Sequence, residues 1–234
     1  MKKHLPALAI FLVISTFSSF SQTLIYETKE VLDFYSNIKL VNPGGELPAY
    51  GSDIKGSPYL SEEFEKGTIF TTTKEKFIDI PLRLNIYNDN FEFKTSDGNV
   101  LEIAAPEIIE KVKLNNLEMV YLPYEGEKKG NGFFIILEEG KDASLYAHLE
   151  IVFKDSPRKE AFTMPEPPQF IKKPNSHYVR FGKGKAIKIG NKNELIQLFP
   201  NHQDEIIAFV KKNKIKPNKP DKLKELIKFY NSLK

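Results

Sequence analysis

The stretch PLRLNIYNDNFEFKTSDGNVLEI, residues 81–103, decides the fold class because it places two chain reversals between short runs of alternating apolar residues. Asn88, Asp89 and Asn90 tolerate left-handed backbone conformations and bond to their own main chain, as a strand reversal requires. The Asp-Gly pair in SDGN is typical of a tight hairpin turn. The stretch therefore predicts three antiparallel strands joined by two corners.

The first of these strands begins upstream, in FIDIPLRLNIY, residues 77–87. The alternation of apolar and polar residues predicts a strand with two different faces. One face carries Ile78, Ile80, Leu82, Leu84 and Ile86, and the other carries Asp79, Arg83, Asn85 and Tyr87. Pro81 has no N–H to donate, which predicts that the strand lies at a sheet edge or is irregular there.

Two more hairpins are expected downstream. NGFFIILEEGKDASLYAHLEIVFKD (131–155) turns at EEGKDA, and HYVRFGKGKAIKI (177–189) turns around Gly182 and Gly184. Between them, residues 156–176 contain five prolines and little periodicity, which predicts an extended loop.

From Asn191 onward the hydrophobic period becomes helical. NKNELIQLF begins with an Asn cap and stops at Pro200, and the next helix is predicted to begin with Asn201 as its cap. The last helix has Pro220 near its first turn. Its apolar stripe, expected to pack on the sheet, consists of Leu223, Leu226, Ile227 and Tyr230. The pattern predicts an α+β protein: an antiparallel β-rich body, meander- or sandwich-like, followed by two or three C-terminal helices.

The N-terminus has the features of a secretory signal peptide. A short basic start, MKKH, precedes the apolar run LPALAIFLVISTF, and Ser19 and Ser21 supply small residues before Gln22. A membrane anchor is disfavoured because no basic stop-transfer cluster follows Ser21. We therefore expect cleavage between Ser21 and Gln22, a periplasmic or extracellular mature protein and no transmembrane segment in it. The expected division is a signal peptide (1–21), a β-rich domain (22–190) and a helical segment packed on it (191–234).

The composition limits how this chain is stabilised and attached. With no cysteine it forms no disulfide, carries no lipidated cysteine and has no cysteine nucleophile, which suits the bacterial cell envelope. Its 18 Phe and 10 Tyr provide large amphipathic surfaces for a β-rich core. Stability is therefore expected to come from the core alone.

Charge is divided unevenly along the chain. Residues 22–170 contain 16 Lys and Arg against 26 Asp and Glu, whereas residues 171–234 contain 16 against 5. The basic part includes a lysine run formed by Lys211, Lys212, Lys214, Lys216 and Lys219. These lysines form either a solvated helical face, which charge runs beside a packed helix usually provide, or a cationic patch for anionic lipid headgroups, an acidic polysaccharide or an acidic partner. Nucleic acid is not expected as a partner in this compartment.

Three stretches carry a resemblance to a known group of proteins. GSPYLSEEFEKGTI (56–69), IPLRLNIYNDNFEF (80–93) and the C-terminal LIKFYNSL (226–233) resemble a family of uncharacterised exported proteins of Bacteroidetes-type bacteria. No activity is established for that family. The resemblance implies an exported location and a shared fold, and it carries over no catalytic residue.

The chain lacks the residues that most catalytic mechanisms require. The mature chain has His148, His177 and His202, but no Gly-x-Ser-x-Gly turn, and alternation places His148 on a strand surface. FGKGKAIKIGNK lacks the P-loop pattern and is better explained as a basic hairpin. No short His or Cys spacing suggests zinc, and no EF-hand loop suggests calcium, so we expect no cofactor.

Paired carboxylates are the strongest remaining catalytic hypothesis. A hydrolase would need two acids in one cleft, and the candidates are Glu62, Glu63, Glu65, Asp89 and Glu92. The 26 acids of the body, however, make chance pairs inevitable. Whether the chain is an enzyme stays open, and a non-catalytic role is favoured.

A binding role has candidate residues of its own. Beside their turn-forming role, Tyr87, Asn88 and Asp89 offer a glycan or peptide an aromatic face with polar neighbours, and Glu62 and Glu63 are added as candidate ligand contacts. The favoured function is a non-catalytic binding or structural component of the cell envelope, whose partner is an anionic envelope component or another envelope protein. The alternatives are a carboxylate-dependent envelope hydrolase and a carrier of an apolar ligand.

Overall fold

The computed structural model describes residues 39–40, 54–95, 98–126, 129–156 and 166–233, so the predicted signal peptide lies outside the described residues. The α+β prediction is confirmed: within these ranges a strand-rich body precedes three helices. The strands are β1 Lys39–Leu40, β2 Glu65–Thr71, β3 Lys76–Asn85, β4 Asn90–Lys94, β5 Val100–Glu102, β6 Ile109–Leu114, β7 Leu117–Glu125, β8 Lys129–Glu138, β9 Ala143–His148, β10 Ile151–Lys154, β11 Gln169–Lys172, β12 Ser176–Phe181 and β13 Ala186–Lys188. The helices are α1 Lys192–Gln197, α2 Gln203–Lys212 and α3 Pro220–Ser232, and a short 3-10 turn covers Pro106–Ile108.

Eleven strands form one sheet that closes on itself at one end. Its order is β1-β5-β4-β3-β2-β6-β7-β13-β12-β9-β8, and β8 also pairs with β7. Strands β7, β13, β12, β9 and β8 therefore form a closed ring, in which only the β13–β7 pair is parallel. Strands β10 and β11 form a separate antiparallel pair.

The predicted corners and hairpins are confirmed. Strands β3 and β4 pair from Leu82 with Phe93 to Asn85 with Asn90. Strand β4 pairs with β5, and Ser96 and Asp97 of the intervening SDGN lie outside the described residues. The hairpins β8–β9 and β12–β13 also form where the sequence predicts them.

The predicted alternation of β3 is wrong at its start. Ile78 is 48% exposed, and Phe77 takes the buried position instead. Gly67 of β2 lies opposite Ile80 of β3, and Ile69 lies opposite Phe77. One residue of β2 therefore stands opposite two residues of β3 between these pairs, so β3 contains one extra residue. Such a bulge reverses which side chains face the core. Asp79 accommodates it with a left-handed φ of 58°.

Pro81 lies in an interior strand, because β3 has β4 on one side and β2 on the other. The edge alternative is therefore wrong, whereas the predicted irregularity is present as the adjacent bulge. Pro81 pairs with Lys66 of β2 and lies one residue beyond the last β3–β4 pair, Leu82 with Phe93. The missing N–H of Pro81 therefore lies beyond the part of β3 that pairs with β4.

Within the proline-rich segment 156–176, residues 157–165 lie outside the described residues, and residues 169–172 form β11 in place of the predicted loop. This strand pairs along its whole length with β10, from Ile151 with Lys172 to Lys154 with Gln169. Phe170 packs against Phe153 with ring centroids 5.1 Å apart. Apolar burial at Phe170 thus overrides the local proline content, which a single-segment pattern does not show.

Three apolar clusters hold the described residues together. The body cluster lies between the sheet β2–β7 and the β10–β11 pair, and its centre includes Phe91, Phe93 and Val112, each fully buried. The ring cluster fills the inside of the closed ring with Leu122, Phe134, Tyr146, Tyr178 and Ala186. The helix cluster joins the outer face of β9 and β12 to the three helices.

The helices begin and pack largely as the sequence predicts. The Asn191 side chain caps α1 by accepting from the N–H groups of Asn193 and Glu194. The cap prediction for α2 is wrong: His202, with a left-handed φ of 61°, precedes that helix. The Asn201 side chain hydrogen-bonds the Tyr230 hydroxyl instead. Over the described residues, no helix is long and apolar enough to cross a membrane.

Helix α3 is attached to the β8–β9 turn by one amide side chain. Asn231 Oδ1 accepts from the N–H groups of Asp142, at 2.8 Å, and Ala143, at 3.0 Å. Its Nδ2 donates to the carbonyls of Ala143, at 2.8 Å, and Ile227, at 2.9 Å. The predicted stripe is buried in the helix cluster: Leu223, Leu226, Ile227 and Tyr230.

Candidate functional site

The five candidate acids do not gather in one place. Glu62 and Glu63 are exposed on the segment before β2, and Glu65 accepts a hydrogen bond from Asn115. Glu92 is buried within β4. Of the five, Asp89 alone lines the cleft described below, so the described structure does not bring two of these five acids together.

Glu92 belongs to a buried ion pair with Arg83. The Arg83 Nε donates to Glu92 at 2.8 Å, and Asn85 Nδ2 donates to the other carboxylate oxygen at 3.0 Å. The guanidinium is also held between the rings of Tyr59 and Phe64, at 3.8 and 4.5 Å from their centroids. Every polar group of this cluster is occupied within the protein, which makes it a structural clamp.

The same clamp explains where Glu62 lies. Its backbone carbonyl accepts a hydrogen bond from Arg83 at 3.2 Å, while its side chain remains exposed. Glu62 and Glu63 therefore border the clamp and do not line the cleft. The stretches 56–69 and 80–93 meet at this point through the hydrogen bonds of Arg83 to Glu62 and Tyr59.

The NDN segment forms the corner that its composition predicts. Asn85 Oδ1 accepts from the N–H of Asn88 at 3.0 Å, and Asp89 adopts a left-handed φ of 50°. Asn90 donates to the carbonyl of Ile103 at 3.0 Å, which fixes the corner to the end of β5. Asn88 is thus used within the turn and does not line the cleft.

Asp89 leaves the corner and reaches the closed ring. Its carboxylate accepts from the N–H of Phe133 at 3.2 and 3.3 Å, just beyond the last β8–β9 pair, Ile135 with Ala147. One carboxylate oxygen also lies 3.4 Å from His148 Nε2. The two side chains are only 30% and 16% exposed. A single residue thus joins the corner to two strands of the ring.

Gly132 makes this contact possible. A Cβ at this position would lie 2.4 Å from the Asp89 carboxylate and 3.4 Å from His148 Nε2. Since real Cβ atoms do not approach a carboxylate oxygen so closely, any other residue would displace Asp89. The glycine is therefore required by close approach, although its own backbone is unstrained.

The Asp89–His148 contact lies in a cleft of about 430 Å³. The corner supplies one wall through Tyr87 and Asp89, and the segment from Leu149 to β10 supplies another. The rim of the ring forms the floor with Tyr124, His148 and Ser176. The walls thus combine aromatic faces with carboxylate, imidazole and hydroxyl groups.

Aromatic rings surround His148 on several sides. The Phe134, Tyr124 and Tyr178 centroids lie 4.9, 5.7 and 6.2 Å from the imidazole centroid. Burial raises the pKa of the Tyr124 hydroxyl above its usual value, and the negative charges of Asp89 and Glu150 raise it further. Tyr124 therefore stays protonated at neutral pH and offers a neutral hydrogen-bonding group.

His148 and Ser176 face each other across β9 and β12, so their side chains lie on the same face of the sheet. Within the described residues, however, no hydrogen bond joins the Ser176 hydroxyl to His148, as a nucleophile and its base require. The described part of the chain also contains no group of three or more His, Asp or Glu side chains placed to hold a metal ion.

Sequence reasoning missed the central member of this site. The strand-surface interpretation of His148 is wrong, since its imidazole is mostly buried beside Asp89 and Phe134. Sequence patterns also do not identify Glu150, Ser176 and Tyr124, which line the cleft. The sequence signal for this site was weak, because it consisted only of a histidine at the end of a strand, close to a polar residue that interrupts the alternating pattern.

The lysine run lies elsewhere, at the end of α2 and in the loop that follows. All five lysines, 211, 212, 214, 216 and 219, are exposed. None of their ammonium groups forms an ion pair with another residue of the described ranges. The run is thus open to solvent.

No protein family model, no curated protein and no solved structure matches this chain. The resemblance to an exported Bacteroidetes-type family stays a prediction.

Proposed function

We propose that this chain is an exported, non-catalytic binding protein of the bacterial cell envelope, and that the cleft at the Asp89–His148 contact binds a glycan. The first 21 residues, with their basic start, apolar run and small residues before Gln22, support an exported location. The mature protein is then periplasmic or extracellular.

One observation carries the binding proposal: half-buried aromatic faces and hydrogen-bonding groups line the same open cleft. Tyr87 and Tyr124 are partly exposed there, beside Asp89, Ser176 and the exposed Glu150. Sugar rings present apolar C–H faces and a rim of hydroxyl groups, which such a mixture of aromatic and polar side chains complements.

The two alternatives are less well supported. The acids proposed for a hydrolase are dispersed, and the Asp89 carboxylate is already used by Phe133 and His148. A carrier of an apolar ligand would need an unfilled apolar cavity, but the inside of the ring is occupied by buried side chains, including Phe134, Tyr146 and Tyr178. Charged groups at the cleft also oppose entry of an apolar ligand.

Affinity electrophoresis through gels that contain soluble neutral polysaccharides, such as glucan, xylan and mannan, tests this proposal. At least one of them is expected to retard the protein. Tyr87→Ala and Glu150→Gln should weaken that retardation at least about fivefold, the effect of losing about 1 kcal/mol of ligand contact.

Glu63→Gln is the matched control for Glu150→Gln, because Glu63 is exposed but does not line the cleft. This control should behave as the wild type. Normal mobility of the wild type in every gel would overturn the glycan proposal.

A further inference from the structure

A second surface, independent of the cleft, is formed by the five exposed lysines 211, 212, 214, 216 and 219, called here the lysine surface. No acidic residue occurs between positions 206 and 220. The following helix differs: there Lys222, Lys224 and Lys228 pair with Glu225, Asp221 and Glu138. The positive charge of the lysine surface is therefore not neutralised by other described residues.

The chain that carries these lysines is fixed in place. Ile215 is 1% exposed and belongs to the helix cluster, and its N–H donates to the carbonyl of Val210 at 3.1 Å. Asn213 Nδ2 caps α2 by donating to the carbonyl of Phe209 at 3.0 Å. The carbonyl of Pro217 accepts a hydrogen bond from the half-buried His177 of β12. The lysines thus extend from an anchored loop.

The residue types indicate which kind of anionic partner fits. Arginine forms bidentate bonds with a single phosphate or carboxylate, whereas lysine acts as a hydrated point charge. A surface of five lysines without arginine therefore suits diffuse attraction to many negative charges. Next to it Phe209 and Phe229 stack with centroids 4.1 Å apart and remain partly exposed. Lysines with neighbouring aromatic rings are typical of proteins that lie on a bilayer surface.

The charge of the rest of the chain favours one orientation. Residues 22–170 have a net charge of −10 and residues 171–234 a net charge of +11. An anionic surface attracts the second part and repels the first. We propose that the lysine surface binds the headgroups of a bilayer that contains anionic lipid, with the β-rich body directed away from it.

Sedimentation with vesicles tests this proposal. The probe is vesicles of phosphatidylcholine with 30% phosphatidylglycerol, compared with pure phosphatidylcholine, at low and at physiological salt. We expect binding to the anionic vesicles only, weakened by salt as exposed charges are screened. Replacing the five lysines of the lysine surface with glutamine should reduce partitioning at least about tenfold.

The matched control removes the same charge elsewhere. Lys66, Lys74, Lys113, Lys154 and Lys185 each pair with an acid of the β-rich body, and changing these five to glutamine should leave vesicle binding largely unchanged. A smaller variant, Lys216→Gln with Lys219→Gln, should give an intermediate loss without depending on the fold of the fivefold variant.

Two results would overturn the proposal. In the first, the wild type stays in the supernatant with anionic vesicles; retention on an acidic polysaccharide such as alginate would then assign the surface to a polymer. In the second, both fivefold variants lose binding equally, which would indicate a net-charge effect. Neither of these results bears on the cleft, because its residues are unchanged in all variants.

Discussion

The Asp89 carboxylate lies 3.4 Å from His148 Nε2, although 59 positions separate the two residues. Asp89 belongs to a turn that its sequence predicts, and His148 ends β9 of the closed ring. Their contact converts the turn into one wall of a cleft at the rim of the ring. A residue that serves first to reverse the chain thus also builds the candidate binding site.

Gly132→Ala should destabilise the protein by about 1–3 kcal/mol, because its Cβ would lie 2.4 Å from the Asp89 carboxylate. The control is Gly130→Ala on the same strand, where the nearest atom, Tyr124 Cε1, is 3.9 Å away. Urea unfolding of both variants measures the difference in free energy of unfolding. Equal stabilities would mean that Asp89 is free to move and that the close contact has no consequence.

The Asp89–His148 contact should appear as an energetic coupling. Asp89→Asn and His148→Gln, alone and together, form a double-mutant cycle, and contacting residues of this kind couple by about 0.5–3 kcal/mol. Both side chains are mostly buried, at 30% and 16% exposure, so solvent screening is limited. Denaturant unfolding of the four proteins gives the coupling. If the effects of the two substitutions are additive, the Asp89–His148 contact does not contribute to the free energy of unfolding.

Asn231→Ala should weaken the attachment of α3 to the sheet. The substitution removes four hydrogen bonds, to Asp142, Ala143 and Ile227, and leaves part-buried backbone groups without partners. We expect a loss of about 1.5–3 kcal/mol in the free energy of unfolding. Asn218→Ala, at an exposed loop position, is the control and should change stability little. A similar small effect at Asn231 would contradict its proposed structural role.

Stability should fall below about pH 6.5 because of His177. Burial lowers the pKa of its imidazole in the folded state from an ordinary value of 6.5, against a smaller opposing effect of the Pro217 carbonyl. The unfolded chain then takes up the proton first as the pH falls. The stability contribution is therefore complete above pH 6.5 and is lost as the pH drops towards the folded pKa.

Unfolding at pH 7.5 and 5.5 checks this dependence. His177→Gln should lose less stability than the wild type between the two values. A wild-type slope in His177→Gln would show that other groups account for the pH effect.

The predictable parts of the fold are those that local chemistry determines. The NDN and SDGN reversals, the later hairpins, the Asn191 cap and the stripe of α3 all follow from neighbouring residues. The sequence predictions fail where contacts between residues distant in sequence determine the local structure. The bulge at Ile78 needs a left-handed φ at Asp79, and an aspartate within an alternating run tolerates that conformation but does not by itself predict it. Strand β11 forms because β10 pairs with it. At α2, Tyr230 takes the side chain of the expected cap, Asn201.

The candidate site follows the same division. The sequence predicts Tyr87, Asn88, Asp89, Glu62 and Glu63 as ligand contacts. Of these, Tyr87 and Asp89 line the cleft and the other three do not. His148 could not be found by pattern, because alternation states which face of a strand a residue occupies and not what covers that face. Its partners come from the corner, β7 and β12, all remote in sequence.

The most direct test of the glycan-binding cleft is NMR observation of the histidine ring protons during titration with an oligosaccharide of the polysaccharide that retards the protein most. The His148 ring signals should shift with saturation, while those of His177 and His202, which do not line the cleft, should stay in place. Saturable binding that leaves the His148 signals unmoved, or no binding at all, would contradict the account.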